Sequence, residues 1–452
     1  MSALTLALGG FVADLGLRQI PSEGAAIART GIADCFGVLI AGARDPEIAL
    51  VDRELGYDGG ATLVSLIPSG ARRTPETAAL INGVAAHVLD YDDVSLDGHP
   101  SAVLVPAILA QGEASGSSGA EMLTAYIAGF EVWAELLVRE GVPLHRKGWH
   151  PTAVLGPVAA AAACAKLHGL DAKGVATAIA IAASMSSGLV ANFGTMTKSF
   201  QVGRAAQSGV IAARLAQAGL TASLDALEHP AGLLMALSPD GKPELDRPFG
   251  AAQKEWHILG HGLNIKRYPI CYATHRSIDA ALDLVRRYDL TPGEVERIHV
   301  STGKTQLLML RNSAPQTRLE AKFSMQFAMA AALVARHVGL QELTDDFVRR
   351  PEVQELLPRV SLEGTAVIKE GSNFAPFDAV EITTTGGETL KSGPVEYAKG
   401  SHQRPLSRDE LWTKFAECLG GEFPETKKSR AFENLMMFDR LNGAGDLALQ
   451  IA

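Results

Sequence analysis

Four short segments of the chain collect the residue types that carry chemistry. The first, Asn82 to Ser101, reads NGVAAHVLDYDDVSLDGHPS, with two histidines and four aspartates. A carboxylate beside an imidazole favours its charged form and fixes its tautomer. The segment therefore reads as a titrating His99 oriented by Asp90 and pinned on a tight loop between Gly98 and Pro100. The second segment, HRKGWHPT, places His150 just before an apolar helix. A helix N-terminus there attracts an anionic substrate and lowers an imidazole pKa. The third, NFGTMTKSF, flanks Lys198 with Thr197 and Ser199, a set suited to holding a carboxylate. The glycine that directly precedes the lysine of a phosphate loop is missing, so that reading fails. The fourth, KRYPICYATH, brings together Lys266, Tyr268 and His275, with two cations, two phenols, a thiol and an imidazole in all. Each segment also has a plain reading: a charged helix end, a loop histidine, a surface lysine and a loop running into a helix.

Composition narrows the partners. The 452 residues carry a net charge of −9, which argues against nucleic acid or an anionic membrane as the main partner. Cys35, Cys164, Cys271 and Cys418 are far apart and form no C-x-x-C pair. A disulfide framework or zinc ribbon is disfavoured, and a reduced, cytoplasmic setting is expected. The N-terminal stretch lacks a basic region and reads as a poor signal peptide. DDVSLD resembles the aspartate-rich magnesium segment of prenyl-diphosphate synthases, but a second metal segment of that kind is missing. There is no H-E-x-x-H and no G-x-G-x-x-G after a strand. No metal site is demanded by spacing.

The elements that must position these residues are mostly helical. From Pro21 to about Leu263 apolar residues recur at helical spacing. Thr74-Pro75 reads as an N-cap with proline at the first helical position, Asp171 as another N-cap, and Gly219 as a C-cap. Aromatic residues are only 6% and glycine numbers 45, the composition of a core in which helices approach closely. Strand-like alternation first appears near Val295–Thr302 and Asp378–Thr385, with a hairpin turn at Gly386-Gly387. Helices are expected at Thr274–Tyr288, Phe323–His337 and Asp345–Glu355, and after a capping box at Ser407–Glu410 the chain reads as helical to its end. The fold class is mainly α: a large all-helical domain at 1–266, an inserted smaller α+β domain at 267–399, and C-terminal helices at 400–452 that return to the helical domain.

Taken in order, NGVAAHVLDYDD with GHPS, GWHPTAVLG, GTMTKSFQVGRAAQSG and KRYPICYATH resemble the MmgE/PrpD family, which includes 2-methylcitrate dehydratases, cis-aconitate decarboxylases and iminodisuccinate epimerases. The resemblance implies that the α+β domain is a lid with the active site beneath it, a homodimer, and no metal or cofactor. It implies Asp90, His99, His150, Lys198 and Lys266 as catalytic positions, with Tyr268 and His275 as weaker candidates against the substrate; Thr197 joins them as a substrate contact from its place beside Lys198. Cis-aconitate decarboxylases carry a threonine where this chain has Val94.

The reactions of such a family share a carbanion next to a carboxylate. Cations stabilise its charge more than that of the ground state, which suits Lys198 and Lys266. Histidines titrate near neutral pH, which suits His99 and His150 as proton carriers. The departures from the dehydratase and decarboxylase patterns make epimerisation of an iminodisuccinate-like dicarboxylate the first reading. Dehydration of a 2-methylcitrate-like hydroxy tricarboxylate is the second, and decarboxylation or a magnesium-dependent prenyl synthase comes after these. The expected partner is a small di- or tricarboxylate.

Overall fold

A computed structural model describes residues 4–60, 62–249, 256–369, 374–445 and 447. The chain forms two compact units, Met1–Asn264 with Ser407–Ala452, and Ile265–Leu406. The boundaries read from the sequence were 266/267 and 399/400. The protein is mainly α, with its strands confined to small sheets.

The first unit contains α1 (Leu4–Asp14), α2 (Ser22–Gly42), α3 (Pro46–Leu55), α4 (Pro75–His87), α5 (Pro100–Ser115), α6 (Gly119–Leu137), α7 (Pro151–Leu167), α8 (Ala172–Ala183) and α9 (Thr197–Gln217). Between α3 and α4 lies a short antiparallel ribbon of β1 (Val64–Ser65) and β2 (Arg72–Arg73). Helix α7 is the hub and packs against α5, α6, α8 and α9. Its buried face is largely alanine, Ala159 to Ala163. Small side chains contribute little apolar area each, so the stabilisation comes from close backbone approach and the dispersion contacts it allows. At the α4–α9 crossing a Cβ on Gly203 would lie 2.3 Å from the carbonyl oxygen of Leu80, and one on Gly83 would lie 2.8 Å from the Cα of Gly203. Only glycine permits that approach.

The expected caps mark real helix starts. Asp171 accepts from the Gly174 amide at 2.8 Å, and Thr74 precedes Pro75 at the start of α4 without a side-chain bond to its amides. Gly219, with φ of +92°, follows the end of α9. That helix begins at Thr197 rather than at Gly203, which moves Lys198 from a loop into a first helical turn. Helix α2 is long and apolar enough to cross a membrane, yet it is mostly buried against α4, α5, α6 and the helix Arg408–Leu419. The capping box of that last helix forms as read, with the Glu410 amide donating to Ser407 Oγ at 3.2 Å. Helix Glu425–Met436 follows it, and residues 448–452 of the expected terminal helical run lie outside the described residues.

The second unit holds a four-stranded sheet in the order β4-β3-β5-β6, with β3 at Val295–Gly303, β4 at Val360–Thr365, β5 at Ala379–Thr384 and β6 at Thr389–Lys391. The hairpin β5–β6 is the one expected at Gly386-Gly387. Strand β4 runs parallel to β3 and was not read from the sequence. Its partner lies more than fifty residues away, and VSLEGT lacks an alternation strong enough to announce it. The buried side chains Val295, Ile298, Val300, Val380 and Ile382 face a helix at His275–Tyr288 and another at Met325–Val334. The helix expected over Asp345–Glu355 is broken into Asp345–Val348 and Pro351–Leu356. Pro351 has no amide to donate and pushes Arg350 out of the helical region.

Candidate active site

The candidate site is built where four helices of the first unit begin or end. Helix α4 stops at His87, and the chain turns at Asp90, whose φ is +52°. Leu96 and Asp97 also take positive φ, at +52° and +56°, and Ser95 and Gly98 exchange main-chain hydrogen bonds across them. This tight turn is held by Trp133, whose indole N–H donates to the Leu96 carbonyl at 3.2 Å. A Cβ at position 98 would stand 2.8 Å from the Trp133 ring and 2.9 Å from Thr152 Oγ1, so glycine is required there. The turn delivers His99 to the N-cap of α5, and Pro100 follows at the first helical position. His150 occupies the same place on α7, ahead of Pro151. Both imidazoles therefore stand at the positive end of a helix.

His99 is oriented by Asp92 rather than by Asp90. Its Nδ1–H donates to Asp92 Oδ2 at 2.9 Å and to the main-chain oxygen of Asp93 at 2.9 Å. Two acceptors and no donor face that nitrogen, so it carries the proton and Nε2 is the ring nitrogen turned away from Asp92. Asp90 Oδ1 is 4.0 Å from Nε2. Asp90 is bound instead to Lys198, whose Nζ donates to Oδ1 at 2.6 Å. Both members of this ion pair are buried. Lys198 Nζ also lies 5.3 Å from the centre of the Phe193 ring, and that ring meets His150 edge-on at 4.9 Å.

His87 completes the group. Its Nδ1 bonds both oxygens of Asp92, at 2.9 and 3.1 Å, and its ring centre is 4.3 Å from that of His99 and 6.4 Å from that of His150. The Nε2 atom of His87 is buried with no hydrogen-bond partner among the described residues. Burial, opposed by Asp92, pushes the His87 imidazole down to about 3, so it is neutral at pH 7. Burial would raise the Asp92 carboxyl, but His87 and His99 beside it hold it well below the ordinary carboxylate range. His150 is also held well below the usual imidazole range, first by burial and then by the Lys198 charge. The lowering expected for His150 is present, with desolvation as its main cause. Its Nδ1–H donates to Gln201 Oε1 at 2.8 Å, and Gln201 Nε2 donates to the Leu189 carbonyl at 3.2 Å, which fixes the amide's orientation.

Beneath this group lies a second buried network. The Asp93 carboxyl shares a hydrogen bond with the Ser101 hydroxyl, which is 2.7 Å from the Tyr126 hydroxyl. Burial pushes the Asp93 carboxyl up to about 8, so it is a neutral acid at pH 7. Lys414, from the helix Arg408–Leu419, pairs with Asp34 at 2.6 Å and donates to the Tyr91 carbonyl at 2.8 Å. It thereby pins the residue between Asp90 and Asp92.

Of the expected residues, Asp90, His99, His150 and Lys198 come together here. Thr197 is exposed at the first residue of α9. Lys266, Tyr268 and His275 belong to the second unit and are buried. Tyr268 donates to Asp279 at 2.7 Å, and His275 Nε2 is 3.2 Å from the Ile270 carbonyl oxygen. The sequence reading passed over His87, Asp92 and Gln201. The signal for the first two was their place in the same segment; Gln201 gave none.

His87, Asp90, Asp92 and His99 each offer a ligand-type atom within 4.8 Å of the others. The chemistry of this set suits protons better than a metal. Both Nδ1 atoms spend their hydrogens on Asp92, and Lys198 already neutralises Asp90. A divalent ion ligated through Asp90 would have to displace Lys198 from it, although Nδ1–H bonds to a carboxylate leave the Nε2 atoms available as ligands.

Models of the MmgE/PrpD N-terminal domain and C-terminal domain match residues 6–246 and 268–436. The chain belongs to the MmgE/PrpD family. It is 31% identical to cis-aconitate decarboxylase of Mus musculus over 365 residues, covering 76% of this chain and 72% of the relative. It is 30% identical to the Homo sapiens cis-aconitate decarboxylase over 76% of this chain and 72% of that one. The cis-aconitate decarboxylase of Aspergillus terreus is 26% identical over 97% of this chain and 94% of its own. These relatives are named as decarboxylases, and none of them as an epimerase, so the epimerase reading loses its first place.

Proposed function

We propose that this chain is a lyase that decarboxylates a small tricarboxylate of the cis-aconitate type without a metal or cofactor. The reading rests on the placement of His99 Nε2 4.0 Å from the Asp90 carboxylate that Lys198 holds. That arrangement combines a proton carrier with a fixed cation, and the relatives' names favour decarboxylation among the reactions such a pair can serve.

When the bond to the departing carboxylate breaks, carbon dioxide leaves and the electron pair stays on carbon. Its charge spreads towards a remaining carboxylate. Lys198 is the cation that meets that charge, and it stabilises the carbanion more than the starting anion. His99 then passes the proton on Nε2 to carbon. Its ring is anchored through Nδ1–H to Asp92, with Asp90 4.0 Å from Nε2. One proton is consumed for each carbon dioxide released. His150, neutral and with Nδ1–H committed to Gln201, presents Nε2 as an acceptor.

Incubation with cis-aconitate in D₂O tests this reading. Carbon dioxide and a dicarboxylate bearing one new carbon-bound deuterium are expected. A hydrated tricarboxylate without carbon dioxide would favour the dehydratase reading. In a parallel incubation with a chiral dicarboxylate, inversion with exchange of one hydrogen would restore the epimerase reading.

A further inference from the structure

Asp92 is fully buried and serves two imidazoles at once. Its oxygens accept from His87 at 2.9 and 3.1 Å and from His99 at 2.9 Å. His87 is itself buried and turns no hydrogen-bonding atom to any other described group. A buried imidazole with one committed N–H and one bare nitrogen costs desolvation and contributes little packing that an apolar ring would not.

We propose that His87 is a positioning residue that acts through Asp92, its N–H keeping that buried carboxylate ionised so that it can hold His99 with Nε2 presented to substrate. The inference rests on the proposed role of His99 as proton carrier. The titratable groups around this cluster are Asp90, Asp92 and Asp93 on the loop, Cys35 on α2, His145 and His150 before α7, and Lys198 on α9. Among them Lys198 is committed to Asp90, and His145 and His150 are held neutral by burial. His87 is therefore the partner that shares Asp92 with His99. Without its N–H, the carboxylate would face the apolar interior with one donor fewer. It would take up a proton at higher pH and release its hold on the Nδ1–H of His99. An asparagine at position 87 places an amide N–H near the position of Nδ1 and should restore the bond.

The test compares the full-length wild type, His87→Leu and His87→Asn, with cis-aconitate as substrate and with carboxyl-¹³C aspartate labelling of the unliganded protein. Asp92→Asn assigns the Asp92 resonance. In His87→Leu the acid limb of the kcat/KM profile should move to higher pH by about one unit, and the Asp92 carboxyl should protonate at correspondingly higher pH. His87→Asn should follow the wild type in both. An Asp92 resonance with the same pH course in all three proteins overturns the proposal, with or without turnover. Full activity in His99→Ala would instead overturn the proton-carrier reading and leave the His87–Asp92 coupling to be judged by the resonance alone.

Discussion

Replacing Asp93 by asparagine should remove a pH dependence from the stability of the first unit. Asp93 is fully buried, and burial raises its carboxyl from the ordinary 3.8 to about 8. The unfolded chain takes up that proton only near 3.8, whereas the folded protein holds it up to about pH 8. Between these values the native state binds one proton more than the unfolded state, so stability rises as pH is lowered through the window. The contribution is complete below the unfolded pKa and is lost as pH rises through the folded one. Each pH unit in the window is worth about 1.4 kcal/mol, and the gap of about four units is worth about 5 kcal/mol. Asparagine keeps the shape and stays neutral, so its own effect on the Ser101 hydrogen bond is a constant offset that cancels in the slope. All four tryptophans, Trp133, Trp149, Trp256 and Trp412, lie in the first unit, so their fluorescence follows that unit's unfolding. Urea melts of both proteins from pH 5 to 9 give the difference directly. Wild type should lose about 1.4 kcal/mol per unit relative to Asp93→Asn up to about pH 8 and then run level with it. Parallel curves across the whole range would show that Asp93 is ionised in the folded protein and would refute the reasoning.

Lys198→Met should cut kcat/KM for cis-aconitate by more than a hundredfold and lower stability by about 3–5 kcal/mol, because it strands the buried Asp90 carboxylate. The double variant Lys198→Met with Asp90→Asn should recover most of the stability in urea melts but none of the activity. Gly203→Ala should destabilise the first unit by about 1–3 kcal/mol, since its Cβ would press on the Leu80 carbonyl; an unchanged melting midpoint would count against the tight α4–α9 crossing. Turnover should survive prolonged dialysis against EDTA, and activity lost to EDTA and restored by a divalent ion would show that the His87, Asp90, Asp92 and His99 set holds a metal after all.

The residues that the sequence could place were those whose neighbours in the chain are also their neighbours in space. Gly98, His99 and Pro100 announce a tight loop feeding a helix, and the structure builds that loop around Trp133 and Thr152. His150-Pro151 and Ser407–Glu410 announce helix starts in the same way. What could not be read was pairing across distance. Asp90 and Lys198 are 108 residues apart, and spacing alone gave Asp90 to His99 because that partner was closer in sequence. Asp92 took that place because the turn at Asp90, with its positive φ, leaves Asp92 buried between the two imidazoles. Strand β4 was missed for a related reason, since a parallel partner needs a long crossover and leaves no turn signal. The small-residue composition predicted close helix packing, and Gly83 and Gly203 show where it is needed. Composition did not separate Lys414 from any surface lysine; its burial against Asp34 is a tertiary fact.

The most direct measurement is carbon dioxide release from uniformly ¹³C-labelled cis-aconitate by the wild type and by His99→Gln. The wild type should release one labelled carbon dioxide for each tricarboxylate consumed, and His99→Gln, still folded by tryptophan fluorescence, should do so about 10²- to 10⁴-fold more slowly. No carbon dioxide from the wild type, or release by His99→Gln at the wild-type rate, would contradict the proposed mechanism.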